Sequence, residues 1–178
     1  RLLRWNVYKK QLPRTPLHFE RCYRVEALQP EHQAWLDTHC SGVQDLELCD
    51  EPSSPQPLPF PREPYWLVAH SGPAAEVSEL IAFARALQAL EGVALPLWVI
   101  TQDAPQELPQ SSRLLHEFPA HGYFEHAERI VTAAGWNSMR QARPYRDKHS
   151  VLPLPRRFDD QFERQRRALA VTKSASDA

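Results

Sequence analysis

Residues 130–141 read IVTAAGWNSMRQ, and this stretch decides the fold. It begins with an apolar run of strand length, turns through the small residues 133–135, and continues as a helix that opens with Asn137 and Ser138. Pro144 is expected to end that helix after about two turns. A strand, a tight turn and a helix in this order are typical of a parallel α/β sheet.

The turn between the strand and the helix is suited to an anion. Gly135 lets a ligand approach the backbone, and the helix that follows presents unpaired N–H groups and the positive end of its dipole. Asn137 and Ser138 add side-chain donors, so a phosphate group is the expected ligand. The alternative is that these polar side chains only cap the helix and bind nothing.

A second strand and helix precede this stretch. Residues 65–70 (YWLVAH) have the length of a buried strand, and residues 95–100 form the next one. Between them, apolar residues recur at three- and four-residue steps, which predicts an amphipathic helix ending just before Gly92. The residues assigned to its apolar face are Val77, Leu80, Ile81, Ala84, Leu87 and Leu90.

The turn after the first of these strands contains Ser71 and Gly72. Because parallel strands place their carboxyl ends at one edge of the sheet, this turn and the turn at Gly135 are expected at the same edge. Two such turns suggest a diphosphate. For Ser71 the alternative is a simple helix N-cap.

Three segments resemble a known family. Residues 134–138 (AGWNS) resemble the Cys-Gly-Trp-Asn-Ser core of the nucleotide-sugar signature in plant and animal UDP-glycosyltransferases, and Asp160-Gln161 resembles the Asp-Gln pair that closes it. Residues 151–155 take the place of the family's buried strand, and residues 119–126 parallel its segment Pro-Gln-x-x-Val-Leu-x-His. The similarity covers residues 64–168, which correspond to the donor-binding half of a GT-B glycosyltransferase, and it extends to bacterial N-acetylglucosaminyltransferases of that fold.

The resemblance implies a Rossmann-like parallel sheet with flanking helices and the transfer of a sugar from a nucleotide diphosphate sugar, UDP-linked, to an acceptor. This sugar nucleotide is a substrate, and no cofactor is expected. The predicted donor-binding residues are Ser71, Gly72, Phe118, His121, Gly135, Asn137, Ser138, Gln141, Asp160 and Gln161. No catalytic base is predicted, because in related enzymes it comes largely from the acceptor half.

The residues of this set outside the two turns have the following expected roles. The resemblance places Phe118 and His121 along the base, although such aromatic side chains are as often part of a core. It places Gln141 at the ribose and the pair Asp160-Gln161 at the sugar hydroxyls. Asp160 also stands at the first position of a capping-box pattern, and the two roles are compatible.

The chain departs from the family pattern at three places. Ala133 stands where the signature has His, Gln141 where it has Glu, and residues 147–150 replace a Gly-x-Pro turn. The alternatives to an ordinary transferase are therefore a donor subunit that is inactive without a separate acceptor subunit, a non-catalytic nucleotide-sugar binding module, and a nucleotide-sugar epimerase.

The composition of the chain limits the kinds of partner that it is expected to bind. A net charge of -1 over 178 residues gives no bulk-charge case for nucleic acid. The basic segment 1–14, with its interleaved aromatics, favours a solvated linker, and the alternatives are contact with a phosphate-rich partner or with an anionic membrane surface. The three cysteines and eight histidines show no metal-ligand or disulfide pattern, and no stretch suits a membrane span or a signal peptide. A cytoplasmic protein is expected.

The sequence predicts three regions. Residues 1–50 are an upstream or interdomain segment with a strand over 21–26 and a helix from Pro30, and further residues are expected upstream. Residues 51–64 hold six prolines, which exclude a helix or a central strand, so a linker is expected there. Residues 65–178 form the donor-binding domain.

Overall fold

The computed structural model of the chain describes residues 1–13, 17–50, 63–105 and 107–176. The predicted linker over 51–64 lies almost entirely outside these described residues.

The chain forms two compact units. The first combines Arg1–Glu51 with Pro155–Ala178, and the second is Pro52–Leu154. The contacts therefore group the C-terminal segment with the N-terminal one, whereas the division made from the sequence keeps 65–178 together.

Short elements form the N-terminal part of the first unit. They are helix α1 (Trp5–Tyr8), strand β1 (Cys22–Arg24), helix α2 (Pro30–His39) and strand β2 (Val43–Asp45). β1 and β2 pair in parallel, and Arg24 donates hydrogen bonds of 2.6 and 2.8 Å to the carboxylate of Asp45. α2 begins with Pro30, whose fixed φ suits a first helical position. The predicted strand over 21–26 and the predicted helix from Pro30 are confirmed, while β2 is an additional element.

The second unit is built on a parallel five-stranded sheet. Its strands are β3 (Trp66–Ala69), β4 (Leu97–Ile100), β5 (Ser112–Leu115), β6 (Arg129–Ala133) and β7 (His149–Leu152). Helix α3 (Ala74–Glu91) joins β3 to β4, and helix α4 (Trp136–Gln141) follows β6. All neighbouring strands are parallel, in the order β5-β4-β3-β6-β7. The predicted Rossmann-like α/β fold is confirmed.

Both faces of the sheet are buried. Successive residues of β3 alternate between faces: Trp66 and Val68 join a core cluster with α3, while Leu67 and Ala69 join a second cluster on the other face. This explains why β3, β4 and β6 read as continuous apolar runs, as strands covered on both sides do. The strand predicted at 151–155 is observed as β7, slightly earlier in the chain.

Helix α3 packs its predicted apolar face on the sheet, with one exception. Val77, Leu80, Ile81 and Ala84 are buried, whereas Leu90 is 82% exposed, so its assignment to that face is wrong. Leu90 follows Ile81 by nine residues, which is two and a half helical turns, and so lies on the opposite side. Gly92 ends the helix with φ 67°, as predicted, because a left-handed residue there suits glycine.

The chain order creates a crevice in this sheet. From β3 the chain runs outward through β4 to β5 and then returns to β6 on the other side of β3. The connections after β3 and β6 therefore diverge at the carboxyl ends of these two strands. In open parallel sheets this switch point is where ligands bind.

The C-terminal segment supplies helix α5 (Gln161–Ser176) to the first unit. Arg164 of this helix is buried and donates to both carboxylates beside it, at 2.8 Å to Glu26 and at 2.6 and 3.0 Å to Asp159. Burial opposes the charge on Arg164, but these hydrogen bonds outweigh it and raise the pKa of the guanidinium.

Candidate functional site

A cavity of about 170 Å³ opens at the carboxyl ends of the strands, at the switch point. Its wall is formed by the ends of β3 and β4, the segment before and within the 3-10 helix Ala120–Tyr123, and α4. The residues that line it are Ala69, His70, Ser71, Ile100, Thr101, Gln102, Glu117, Phe118, Pro119, Ala120, Phe124, Asn137, Ser138 and Gln141. Five of the ten predicted site residues are among them: Ser71, Phe118, Asn137, Ser138 and Gln141.

The turn after β3 brings two ionisable side chains into contact. Nε2 of His70 lies 2.7 Å from Oε2 of Glu76, which stands in the first turn of α3. The side chains are only 9% and 18% exposed. His70 lines the cavity, and neither residue is predicted from the sequence as part of the site.

Gly72 is the residue that leaves room for this contact. A Cβ added at Gly72 would lie 2.5 Å from Oε2 of Glu76 and would collide with Nε2 of His70. Ser71 does not cap α3, because the N-cap position is occupied by Pro73 and no side chain bonds there. The alternative role of Ser71 as a simple N-cap is therefore wrong.

The turn before α4 has the expected course. Gly135 is the N-cap residue in an extended conformation, and its carbonyl accepts a 3.0 Å hydrogen bond from the N–H of Met139. A Cβ at Gly135 would meet only Oγ of Ser138 at 3.9 Å, an ordinary contact. Asn137 and Ser138 lie in the first turn of the helix, and neither occupies the cap position. Their alternative role as caps is excluded, and both side chains line the cavity.

The far side of the cavity carries an aromatic side chain and an amide. Phe118 is 83% exposed, which is unusual for a residue of its size. Its alternative role as a core residue is wrong. Nε2 of Gln141 lies 3.4 Å from Nδ1 of His121, so these two predicted residues are neighbours although only Gln141 lines the cavity.

Ala133 stands where the signature that the chain resembles has a histidine, and the structure shows its surroundings. Ala133 is the last residue of β6 and is buried in the core cluster beneath α3. Thr132 beside it faces His149 of β7, whose Nε2 lies 2.8 Å from the threonine hydroxyl. Burial lowers the pKa of His149 to about 4, so this histidine is neutral near pH 7.

Asp160 and Gln161 belong to the first unit. Oδ1 of Asp160 accepts a 3.1 Å hydrogen bond from the N–H of Glu163, which confirms the capping role, and Oδ2 accepts one of 3.2 Å from Gln29. Gln161 is 4% exposed. Their role at a sugar stays a prediction.

The wall of the cavity combines polar and apolar side chains and contains little charge. His70 and Glu117 are its ionisable members, and no lysine or arginine is found among the described residues that line it. Within the described ranges, no group of three or more His, Cys, Asp or Glu side chains is placed to hold a metal ion. In the same ranges no helix is both long and apolar enough to cross a bilayer.

Comparisons of the chain with protein-family models, curated proteins and solved structures gave no significant match. The resemblance to glycosyltransferases therefore rests on the short motifs given above, and the chemistry of the cavity carries the functional argument.

Proposed function

We propose that the second unit binds a nucleotide diphosphate sugar, UDP-linked, as the donor-binding half of a GT-B glycosyltransferase. The observation that carries this proposal is the cavity at the switch point of the sheet. Five residues that the turns and the family motif single out line this one cavity, although they come from three separate segments of the chain. The motif residues and the cavity are identified independently, one from the sequence and one from the fold. Their agreement supports a binding role for the motif residues and for the cavity.

The side chains suit the expected reaction. When a glycosyl group is transferred, negative charge develops on the departing diphosphate, and fixed donors near that charge stabilise the transition state. Ser71, Asn137 and Ser138 supply hydroxyl and amide donors at the cavity without a metal ion. Gln141 is assigned to the ribose hydroxyls.

The size of the cavity implies that it holds only part of the ligand. Pockets for whole small molecules have volumes of about 300–1,000 Å³, and this cavity has about 170 Å³. We assign the cavity to the phosphates and ribose, and the exposed ring of Phe118 to stacking with the base.

The proposal includes a partner. In the family that the chain resembles, the base that activates the acceptor hydroxyl comes largely from the acceptor half, so we assign that base to an acceptor-binding domain or to a separate acceptor subunit. The working complex is placed in the cytoplasm.

Calorimetric titration tests the proposal. We expect micromolar binding of UDP and UDP-N-acetylglucosamine, about -8 kcal/mol, and weaker binding of GDP and TDP. The double variant Asn137→Ala with Ser138→Ala is expected to lose most of this affinity. The control pair Asn6→Ala with Ser78→Ala makes the same two changes at exposed residues that are not among those lining the cavity, and it is expected to bind normally. Equal affinity in both pairs would refute the site.

A second candidate function is a nucleotide-sugar binding module without catalysis. Burial of Ala133 in the core leaves no side chain there to contact a diphosphate, and Gln141 lacks the charge of the family's Glu. Release of UDP from UDP-N-acetylglucosamine, measured with a range of acceptors and acceptor subunits, separates the two functions. Analysis of the sugar product separates a transferase from an epimerase.

A further inference from the structure

The contact between His70 and Glu76 is the strongest feature of the cavity that the motif does not explain. The imidazole lines the cavity, and its Nε2 is engaged by the carboxylate at 2.7 Å. This leaves Nδ1 as the ring nitrogen with which His70 can contact a ligand. A carboxylate on one ring nitrogen fixes the orientation of the ring.

The local backbone is adapted to this contact. Gly72 lies between the two residues in sequence, and any larger residue there would place its Cβ against both Nε2 of His70 and Oε2 of Glu76. The φ angle of Gly72 is not in the left-handed region. The glycine is therefore required for space and not for backbone conformation.

The charge of the cavity favours a cationic donor at His70. Among the described lining residues, Glu117 is the other ionisable side chain and no lysine or arginine is present. With neutral His70, an incoming diphosphate would meet the carboxylates of Glu76 and Glu117 without a nearby cation. With protonated His70, the imidazolium offsets the charge of Glu76 and supplies a charge-assisted hydrogen bond.

We propose that His70, oriented by Glu76, is the protonatable donor that binds the diphosphate of the nucleotide sugar, an inference that rests on the function proposed above. His70 contacts the ligand, and Glu76 acts as a positioning residue. The site consequently binds its ligand more tightly as pH falls through the range in which histidines take up a proton.

The probe is UDP-N-acetylglucosamine, and the measurement is its Kd by calorimetry as a function of pH. Its diphosphate is esterified at both ends and keeps the same charge over this range, whereas the terminal phosphate of UDP titrates at about pH 6. The titratable groups near His70 are Glu76 of α3, Glu117 of the cavity wall, His116, which contacts the carbonyl of Thr101 at 3.1 Å, and His121 beside Gln141.

We expect the unaltered chain to bind about tenfold more tightly at about pH 6 than at about pH 8. His70→Gln is expected to abolish this dependence, and the exposed His126→Gln to retain it. The affinity for uridine, which has no phosphate, is expected to be the same in all three proteins. If His116→Gln or His121→Gln removed the pH dependence and His70→Gln did not, the inference would be overturned.

Glu76→Gln tests the positioning role. The amide keeps the shape of the side chain but not the charge that pairs with an imidazolium, so the gain in affinity between about pH 8 and about pH 6 is expected to become smaller. At about pH 8 the variant is expected to bind as well as or better than the parent chain, because a carboxylate that repels the diphosphate is gone. A profile identical to that of the parent chain would contradict the role of Glu76.

A measurement on the unaltered chain tests the same inference without depending on whether a variant folds. In the chain labelled with ¹⁵N-histidine, the ligand is expected to shift the Nδ1 resonance of His70 and to leave that of His126 unchanged. Binding without any change at His70 overturns the inference but leaves the proposed function intact. No binding of any nucleotide at any pH overturns the proposed function and the inference with it.

Discussion

The hydroxyl of Thr132 lies 2.8 Å from Nε2 of His149, on neighbouring strands of the sheet. The same hydroxyl donates to the carbonyl of Ala133 at 2.9 Å, so it accepts from an N–H at Nε2. Thr132 is fully buried, and this arrangement suits a neutral imidazole. Burial of His149 at this contact lowers its pKa to about 4, so the neutral imidazole is the form that the folded chain favours.

Acid is expected to destabilise the chain through His149. Burial lowers its pKa from 6.5 to about 4, so between these values the unfolded state binds more protons than the folded state. The stabilisation by neutral His149 is complete above pH 6.5 and is lost as pH falls to about 4. Urea unfolding of the parent chain should show a loss of about 3 kcal/mol from this source. His149→Gln should show a smaller fall over the same range, and an equal fall would contradict the assignment. The exposed His126→Gln is the control.

Gly72→Ala is expected to disrupt the contact between His70 and Glu76. The added Cβ overlaps the ends of both side chains, which must move apart to make room for it. Because these are side-chain ends and not backbone atoms, the free energy of unfolding is expected to change little. Nucleotide affinity should fall together with its pH dependence. Gly42→Ala is the matched control, since its Cβ would meet only the carbonyl oxygen of Glu20 at 3.9 Å. Normal pH dependence in Gly72→Ala would argue against the role of the pair.

Phe118→Ala is expected to weaken the binding of UDP by about tenfold without affecting stability, because stacking on a base contributes about 1–3 kcal/mol. The ring is 83% exposed, so its removal leaves the core unchanged. Leu90→Ala removes an equally exposed apolar side chain, at 82%, away from the cavity and should bind UDP normally. Calorimetry measures the UDP affinity of both variants, and thermal unfolding measures their stability. Unchanged affinity in Phe118→Ala would show that Phe118 does not contact the nucleotide.

Glu26→Gln is expected to cost about 3 kcal/mol, because it leaves the buried guanidinium of Arg164 with one carboxylate in place of two. The side chains of this ion pair are 7% and 15% exposed. Glu163→Gln provides the control. Its partners Arg166 and Arg167 are 71% and 32% exposed, and such surface pairs contribute less than about 1 kcal/mol. Similar losses of unfolding free energy in the two variants would show that burial does not set the strength of the first pair.

The sequence predicts the centre of the fold because its signals there are local. The apolar runs of β3, β4 and β6 and the periodic face of α3 lie within single segments, and all are observed. β5 has no such signal, since Ser112 and Arg113 interrupt its apolar pattern at the edge of the sheet. The grouping of α5 with the first unit depends on contacts such as Glu26 with Arg164, 138 positions apart, which no local pattern encodes.

Only part of the candidate site is predicted from the sequence, because only some of its residues carry local signals. Ser71, Asn137 and Ser138 follow strands and carry turn or motif signals, and all three line the cavity. The contact of His70 with Glu76 depends on how the first turn of α3 folds back on the end of β3. The signal that was available is Gly72, whose lack of a side chain marks a place where two neighbours approach closely.

The first unit is built from two separate segments of the chain, and this affects the order in which the two units can fold during synthesis. The second unit, Pro52–Leu154, is one uninterrupted length of chain, so it can fold on the ribosome as soon as Leu154 has emerged. The first unit needs Pro155–Ala178, which is translated after the second unit, and Glu26 can pair with Arg164 only then. The cavity at the switch point of the sheet can therefore form before Arg1–Glu51 acquires its partners from the C-terminal segment.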